Sequence, residues 1–394
     1  MQLKDNLYYV GVNDRTKELF ENLWPLPEGV SYNSYLMVNE RTALIDTVDV
    51  NFFEEFLFRI RQAIGYRPID YLIINHMEPD HSGSINLIRK YYPEITLVGN
   101  VQTLRMVEGY YGSRGNYLLV NDGENLSLGD KMLTFHLIPM VHWPETMATY
   151  VPRDEILFTG DAFGCFGALN GGVVDAAIDS TPYWNEMIRY YSNIVGKYGL
   201  QVQKTLQKLA VLKVKMLCPT HGPVWTSEIP RVLSLYDRMS RYEGEEGLVI
   251  CYGSMYGNTL RMAECIAEAA SETGVRIIRM HDVSRTHHSY IIADVFRYRG
   301  LVVGAPTYNG GLFPSMESLL NELVSRNVRH RLVGYFGTYT WAGQAVRQIQ
   351  SLTQSCQWEH LSPAIEMKQG DFASVEAACR ALGRNMAHRL LGKK

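Results

Sequence analysis

The sequence has little that would direct the protein to a membrane or to a nucleic acid. No apolar run approaches the roughly 20 residues that a membrane helix needs. The N-terminus, Met1-Gln-Leu-Lys-Asp-Asn, has no apolar stretch of signal-peptide length. Lys and Arg number 38 against 41 Asp and Glu, a formal charge of -3, which argues against nucleic acid and anionic membranes as partners. These absences predict a cytoplasmic protein.

Cysteine pairs are absent as well. None of the six cysteines lies in a C-x-x-C pair, so the chain has no rubredoxin-like, zinc-ribbon or thioredoxin motif. The 394 residues, 46% of them hydrophobic, are enough for two or three domains with sizeable cores.

The chain changes character near residue 245. Before it, short strand-like runs alternate with turns and occasional helical patterns, such as Phe52–Ile64 and Asn185–Leu212, which indicates sheets with helices outside. After it, five strand-like runs alternate regularly with helical patterns, which predicts one parallel, doubly wound, five-stranded sheet. The charged, glycine-bearing segment Ser240–Gly247 is the predicted linker, so we expect domains at residues 1–245 and 246–394.

The strongest chemical signal is a loop with four possible metal ligands. The segment Asn75-His-Met-Glu-Pro-Asp-His-Ser-Gly83 follows the apolar run Tyr71–Ile74. Two imidazoles and two carboxylates within six residues seldom serve packing, because a buried carboxylate needs a cation or hydrogen bonds. We therefore take His76, Glu78, Asp80 and His81 as candidate ligands.

Three further candidates, His142, Asp161 and His221, each follow a strand-like run. The seven side chains are too many for one tetrahedral zinc and about right for two metals that share a bridging ligand. A carboxylate-rich set without thiolates suits non-haem iron. The alternatives are hydrogen-bonded loop residues without a metal, a two-zinc hydrolase with an unusual glutamate, and a purely structural metal site.

A second signal lies where the sequence passes from the run Leu248–Cys251 into a helical pattern. Tyr252-Gly-Ser-Met-Tyr-Gly-Asn-Thr-Leu260 offers backbone N–H groups and hydroxyl or amide side chains to a phosphate monoester at a helix N-terminus. The loop has no lysine, so it is not a nucleoside triphosphate P-loop. The alternative is an interaction domain of this fold that binds no ligand.

Two more loops, Ala305–Pro314 and Phe336–Gly343, follow later strands of the same predicted sheet. Ligands in such sheets bind at the carboxyl ends of the strands. Together the three loops resemble the FMN site of flavodoxin, with Tyr308, Tyr339 and Trp341 as candidates to flank the isoalloxazine ring. The residues that this resemblance assigns to FMN are Ser254, Met255, Tyr256, Gly257, Asn258, Thr259, Pro306, Thr307, Tyr308, Asn309, Gly310, Gly311, Thr338, Tyr339, Thr340, Trp341, Ala342 and Gly343.

The H-x-E-x-D-H loop with His142, Asp161 and His221 resembles the metallo-β-lactamase-like domain of flavodiiron proteins, in their minimal two-domain form. The resemblance covers nearly the whole chain and implies an αββα sandwich followed by a flavodoxin-like domain. It implies that one iron is held by His76, Glu78, His142 and Asp161. The second would be held by Asp80, His81, His221 and the bridging Asp161, with His81 the ligand that varies in the family.

The resemblance also implies an activity and partners. The reaction would be reduction of dioxygen to water, of nitric oxide to nitrous oxide, or both, at the di-iron site supplied with electrons by FMN. Electrons would come from a separate small carrier such as rubredoxin, and the chains would form a head-to-tail homodimer or a homotetramer. One competing interpretation is a zinc-dependent hydrolase of the metallo-β-lactamase fold with a flavodoxin-like docking module. Another is a binding module in which the carboxyl-terminal half is only an electron carrier and the first half is a degenerate scaffold.

Overall fold

The structure, a computed structural model, describes residues 1–392 and divides into two compact units. The first unit consists of Met1–Tyr191 and Leu200–Asp237, and the second consists of Ser192–Gly199 and the chain from Arg238 onward. Lys393 and Lys394, at the end of the predicted second domain, lie outside the described residues. The predicted domain boundary after residue 245 stays a prediction.

The first unit contains a seven-stranded sheet, in the order β1-β2-β7-β8-β9-β10-β11. Its first four strands pair antiparallel and β8 to β11 pair parallel. The strands β3 and β6, and β4 and β5, form two separate pairs. The eleven strands are β1 (Gln2–Lys4), β2 (Leu7–Tyr9), β3 (Val12–Asp14), β4 (Leu19–Phe20), β5 (Trp24–Pro25), β6 (Val30–Tyr32), β7 (Tyr35–Val38), β8 (Thr42–Ile45), β9 (Tyr71–Ile73), β10 (Thr96–Gly99) and β11 (Tyr117–Leu119).

A second, five-stranded sheet packs against the first. Its strands follow chain order and pair antiparallel except for the parallel pair β15 and β16. The Tyr35 ring of β7 packs 5.2 Å from that of Phe158 on β15, and the Tyr35 hydroxyl donates to the carbonyl of Pro219. The strands are β12 (Asn125–Ser127), β13 (Met132–Leu137), β14 (Met147–Val151), β15 (Ile156–Phe158) and β16 (Met216–Cys218).

The helices of this region form where apolar residues recur at helical spacing. In α1 the buried residues Phe53, Phe56, Leu57 and Ile60 make one apolar face. The pattern in Asn185–Leu212 predicts one helix, and this is wrong, because a π-helical turn (Tyr191–Val195) and a 3₁₀ turn (Gly196–Tyr198) interrupt it. The helices are α1 (Phe53–Ile64), α2 (Pro79–Ser82), α3 (Ile85–Tyr91), α4 (Val101–Tyr111), α5 (Thr181–Tyr190), α6 (Gly199–Leu209) and α7 (Ile229–Ser240).

The second unit has a mainly parallel sheet in the order β18-β17-β19-β21, followed by a last position shared by β22 and β23, both parallel to β21. Of these two, β23 is the fifth strand that the sequence predicts, and β22 is an additional short segment before Pro363. The strands are β17 (Glu245–Tyr252), β18 (Ile278–Asp282), β19 (Tyr298–Tyr308), β20 (Gly311–Leu312), β21 (Leu332–Tyr339), β22 (Glu359–His360) and β23 (Ile365–Lys368).

Helices of the second unit pack on this sheet around buried apolar residues such as Ile250, Val302 and Phe336. Two of them, α8 and α12, approach closely at Gly383, where an added Cβ would lie 2.4 Å from the carbonyl oxygen of Ile266. Within residues 1–392, no helix is both long and apolar enough to cross a bilayer. The helices are α8 (Asn258–Glu272), α9 (His288–Arg297), α10 (Pro314–Ser325), α11 (Ala345–Thr353) and α12 (Glu376–Leu390).

Candidate metal centre and flavin site

The loop after β9 is held in place by a buried carboxylate. Asp46, at the end of the neighbouring strand β8, accepts hydrogen bonds from the backbone and side-chain nitrogens of Asn75, at 2.7 and 3.0 Å. Pro79 then starts α2, which needs no N–H at its first position. These contacts fix the loop so that His76 and Glu78 precede the short helix, while Asp80 and His81 lie within it.

Four of the predicted ligands form a first buried set: His76, Glu78, His142 and Asp161. His142 Nε2 lies 3.0 Å from Asp161 Oδ2 and 3.2 Å from Glu78 Oε2. His76 Nε2 lies 3.4 Å from Glu78 Oε2 and 3.6 Å from Asp161 Oδ2. Two imidazole nitrogens and two carboxylate oxygens therefore converge on one small space.

The other three ligands, Asp80, His81 and His221, form a second buried set. Asp80 Oδ2 lies 3.4 Å from His81 Nε2 and 3.3 Å from His221 Nε2. The two Nε2 atoms are only 3.0 Å apart. Two ring nitrogens at this distance need a proton or a cation between or beside them, because their lone pairs would otherwise repel.

Asp161 connects the two sets through its two oxygens. Oδ2 faces the first set, and Oδ1 lies 3.1 Å from His81 Nε2 and 3.8 Å from His221 Nε2. Each oxygen also accepts one hydroxyl hydrogen bond, Oδ2 from Tyr190 at 2.8 Å and Oδ1 from Thr220 at 2.5 Å. This is the arrangement expected of a carboxylate that bridges two cations.

Burial and opposite charges compete in setting the pKa values of this cluster. Burial alone would lower the pKa of His142, but the hydrogen bonds with Asp161 and Glu78 raise it to about 9. For Asp161, burial favours the neutral acid, yet the charges of His76 and His81 hold its pKa well below the usual range. Without a metal, the cluster balances its carboxylates by binding protons on imidazoles.

The donor set fits two metal ions. Both oxygens of Asp80 are buried without a hydrogen-bond partner among the described residues, a costly arrangement unless a cation satisfies them. Three carboxylates and four imidazoles with no thiolate match the ligands that iron accepts in oxygen- and nitrogen-rich sites.

The predicted flavin residues gather at the carboxyl edge of the second unit's sheet. In the first loop, Ser254 Oγ accepts hydrogen bonds from the backbone nitrogens of Gly257 and Leu260, and Gly257 has a φ of +90° just before α8. Met255 and Tyr256 are exposed, Tyr256 by 91%. Asn258 and Thr259 begin the helix, whose N-terminus attracts a phosphate.

Hydroxyl groups connect the first loop with the third, and the second loop with the residues that follow the third. Thr259 Oγ1 lies 3.0 Å from Thr338 Oγ1. Thr307 Oγ1 accepts hydrogen bonds from the backbone nitrogens of Gln344 and Ala345, at 3.0 and 3.1 Å. The three loops thus lie next to one another at the strand ends.

The second predicted loop differs in its start from the prediction. Strand β19 continues through Pro306 and Thr307 to Tyr308, and Asn309 and Gly310, both with positive φ, turn the chain so that Gly311 pairs back with Tyr308. The third loop carries Tyr339 at the end of β21, followed by Thr340, Trp341, Ala342 and Gly343. Trp341 is 84% exposed and Tyr308 42%, so flat apolar side chains stand uncovered where a planar ligand would lie.

Comparisons with known proteins place both units. A family model described as ODP family beta lactamase matches residues 30–222, and the flavodoxin model matches residues 250–383. The anaerobic nitric oxide reductase flavorubredoxin of Shigella dysenteriae is 30% identical over 393 residues, which cover 98% of this chain and 82% of the relative. The chain belongs to the flavodiiron protein family.

Solved structures agree with this membership. The rubredoxin oxygen:oxidoreductase of the anaerobe Desulfovibrio gigas superimposes with a TM-score of 0.95 at 25% identity, covering 100% of this chain and 98% of that one. The flavodiiron protein of Giardia intestinalis superimposes with a TM-score of 0.94 at 26% identity, covering 99% of this chain and 96% of that one. The predicted family and the predicted fold, a β-lactamase-like domain followed by a flavodoxin-like domain, are confirmed.

Several residues around the candidate metal centre of this flavodiiron protein were not predicted from the sequence. Glu145 contacts His76, and Tyr190 contacts Asp161. Burial and the nearby charge of Glu78 raise the pKa of Glu21 to about 7. The Glu21 carboxylate also accepts a hydrogen bond from the Trp24 indole. Asp46 has a signal, as a polar residue directly after a buried strand, whereas Tyr190 has none, because it sits in an ordinary amphipathic helix.

Proposed function

We propose that this chain is a flavodiiron oxidoreductase that reduces dioxygen to water, nitric oxide to nitrous oxide, or both, with FMN and two iron ions as cofactors. The observation that carries the proposal is Asp161, whose two oxygens face two separate ligand sets in a chain that also has a flavodoxin domain. When bound, FMN takes up electrons and releases them singly, and the two iron ions deliver them to a diatomic substrate.

The chain's own residues would hold the ions in two overlapping sets. His76, Glu78, His142 and Asp161 surround one position, and Asp80, His81, His221 and Asp161 surround the other. The imidazoles must be neutral to bind, so metal uptake displaces the protons that the metal-free cluster carries. The hydroxyls of Tyr190 and Thr220 orient Asp161 between the sets.

The three loops of the second unit would hold FMN. The backbone N–H groups of the Ser254–Thr259 segment and the N-terminus of α8 would bind the phosphate. Tyr308, Tyr339 and Trp341 would flank the ring, while Thr307, Asn309 and nearby backbone amides would meet its polar edge. Thr307 also orders the start of α11 through its two hydrogen bonds.

Electrons would reach FMN from a separate small redox carrier, such as a rubredoxin. The relative named flavorubredoxin and the structure named rubredoxin oxygen:oxidoreductase support this choice. We also propose a head-to-tail homodimer, alone or paired into a tetramer, in which the FMN of one chain serves the irons of another. The protein would act in the cytoplasm.

Anaerobic turnover of the iron- and FMN-loaded protein tests the function. An artificial reductase and carrier would supply electrons, and gas electrodes would follow dioxygen and nitric oxide at matched concentrations. We expect consumption of at least one gas, and loss of it in Asp161→Asn. No consumption of either gas, together with stoichiometric zinc and no iron in the isolated protein, would favour the hydrolase instead.

A further inference from the structure

Glu145 is a buried carboxylate beside the metal centre that belongs to neither ligand set. It lies three residues after His142, just before β14, and its side chain is fully buried. Its Oε1 atom lies 2.8 Å from His76 Nδ1 and accepts a hydrogen bond from the Met77 backbone nitrogen at 2.9 Å. One oxygen therefore holds both the ring of a ligand and the backbone that follows it.

This contact determines which nitrogen of His76 can bind a metal. The carboxylate accepts a hydrogen bond from Nδ1–H, so the proton of the neutral ring stays on Nδ1 and Nε2 is the free electron-pair donor. Nε2 is the atom that faces Glu78 and Asp161. The ring is also packed edge-on against Trp143, with centroids 5.3 Å apart. Glu145 and Trp143 together thus fix the tautomer and the orientation that the first set needs.

The two ligand sets differ in the hydrogen bonds that the outer nitrogens of their histidine rings make. The ring of His221, in the second set, makes its outer hydrogen bond at 2.7 Å with the neutral backbone carbonyl of Ser31. Nδ1 of His81 has no hydrogen-bond partner among the described residues. Of these three imidazoles, only His76 has a carboxylate beside its outer nitrogen, Nδ1, and such a partner makes the ring a stronger electron-pair donor.

Folding alone does not account for Glu145. Its second oxygen, Oε2, is buried and has no hydrogen-bond partner within residues 1–392. A half-satisfied buried carboxylate destabilises the fold unless positive charge lies near it. A cation bound through His76 would provide that charge at the far side of the ring.

We propose that Glu145 is a positioning residue that holds the His76 ring in the orientation that binds metal through Nε2 and makes the first set the stronger of the two metal sites. The proposal rests on the proposed function, because it assigns an outer partner to that function's metal centre. It concerns metal affinity directly and activity only through the metal.

Glu145→Gln is the matched variant, because the amide keeps an oxygen acceptor in nearly the same place and removes the charge. Metal-free protein would be titrated with Co²⁺ against a competing chelator, and the visible spectrum of each bound ion recorded. We expect the tighter of the two sites to weaken by about 10- to 100-fold and its spectrum to shift, with the weaker site unchanged. Glu145→Asp, which restores the charge, should recover part of the lost affinity.

Asp175→Asn is the control. Asp175 is also buried and accepts several backbone hydrogen bonds, among them those of Ser227 and Glu228, but it contacts no candidate ligand. This variant should leave both Co²⁺ affinities unchanged, whatever it costs in stability.

Unchanged affinities and spectra at both sites in Glu145→Gln would overturn the proposal. Equal weakening of both sites would also overturn it, since that pattern indicates a general folding role. The proposed function fails separately, if the wild type binds two Co²⁺ ions with the predicted asymmetry yet the iron-loaded enzyme consumes neither gas.

Discussion

Removing the metal ions should make the stability of the first unit fall as the pH rises above neutrality. In the metal-free structure the pKa of His142 is raised to about 9 from an ordinary value of 6.5, because its hydrogen bonds to Asp161 and Glu78 outweigh its burial. The pKa values of His76 and His81 are raised as well, since nearby carboxylates outweigh burial. The metal-free folded state therefore holds protons that the unfolded chain releases.

The direction of the pH dependence follows from this difference in proton binding between the folded and unfolded states. A raised imidazole pKa stabilises the folded state fully below about pH 6.5, and the stabilisation is lost as the pH rises through about 9. At about 1.4 kcal/mol per unit of pKa, His142 alone accounts for roughly 3 kcal/mol over this interval. Each imidazole that keeps its proton steepens the fall by about 1.4 kcal/mol per pH unit.

Denaturant unfolding of metal-free, FMN-loaded protein between pH 6 and 9.5 measures the effect. Four of the six tryptophans, Trp24, Trp143, Trp184 and Trp225, lie in the first unit, so indole fluorescence reports mainly on it. The six cysteines are buried and their thiol pKa values are raised. The free energy of unfolding therefore falls further above about pH 8.5, where the thiols of the unfolded chain ionise. The metal-loaded protein shares this fall but lacks protonated ligands, so the difference between the two forms isolates the imidazoles.

Asp161→Asn supplies the decisive comparison. A carboxylate and an imidazolium 3.0 Å apart, as Asp161 and His142 are, attract by about 5 kcal/mol at an effective dielectric constant near 20. Without that charge the imidazole pKa values should drop, and the metal-free variant should lose most of its pH dependence between 7 and 8.5. A wild-type curve that is flat or rising there, or a variant with the same slope, would refute the reasoning.

Three further predictions follow from single side chains. Glu78→Gln should release the ion of the first set and Asp80→Asn that of the second, each leaving about one metal per chain by elemental analysis; loss of both ions in each variant would contradict separate sets. Arg331→Met should destabilise the second unit by about 3 kcal/mol in denaturant, because this buried guanidinium donates to the carbonyls of Tyr242, Val295 and Phe296, and Arg331→Lys should recover less than half. Trp341→Ala should weaken FMN binding by about 2- to 10-fold in a fluorescence titration, and unchanged binding would place the ring elsewhere.

The sequence was sufficient to predict what depends on local pattern. Apolar runs such as Tyr35–Val38 and Thr96–Gly99 form strands because their side chains are buried in the sheet. The ligand loops could be predicted because polar residues directly after buried strands gather at one edge. The resemblance to the family added the division of the seven candidate ligands into two sets, which spacing alone left open.

Features that depend on tertiary contacts were not predictable. The amphipathic pattern from Asn185 to Leu212 continues across the break at Tyr191–Tyr198, so periodicity indicates one helix where there are two. Tyr190 is separated from Asp161 by 29 positions, yet its hydroxyl is bonded to that carboxylate. A tyrosine or a glutamate in an ordinary element carries no local sign of the atom it will meet.

Charge balance explains why the outer residues matter as much as the ligands. With neutral imidazoles, the carboxylates of Glu78, Asp80 and Asp161 neutralise three of the four positive charges on two divalent ions. The remaining charge is available to a nearby anion, and Glu145 is placed beside the first set to share it. Without the ions, the same carboxylates instead hold protons on the imidazoles. The pH dependence of the metal-free protein and the selective loss of metal affinity in Glu145→Gln therefore test the same arrangement of charges, first without the metal ions and then with them.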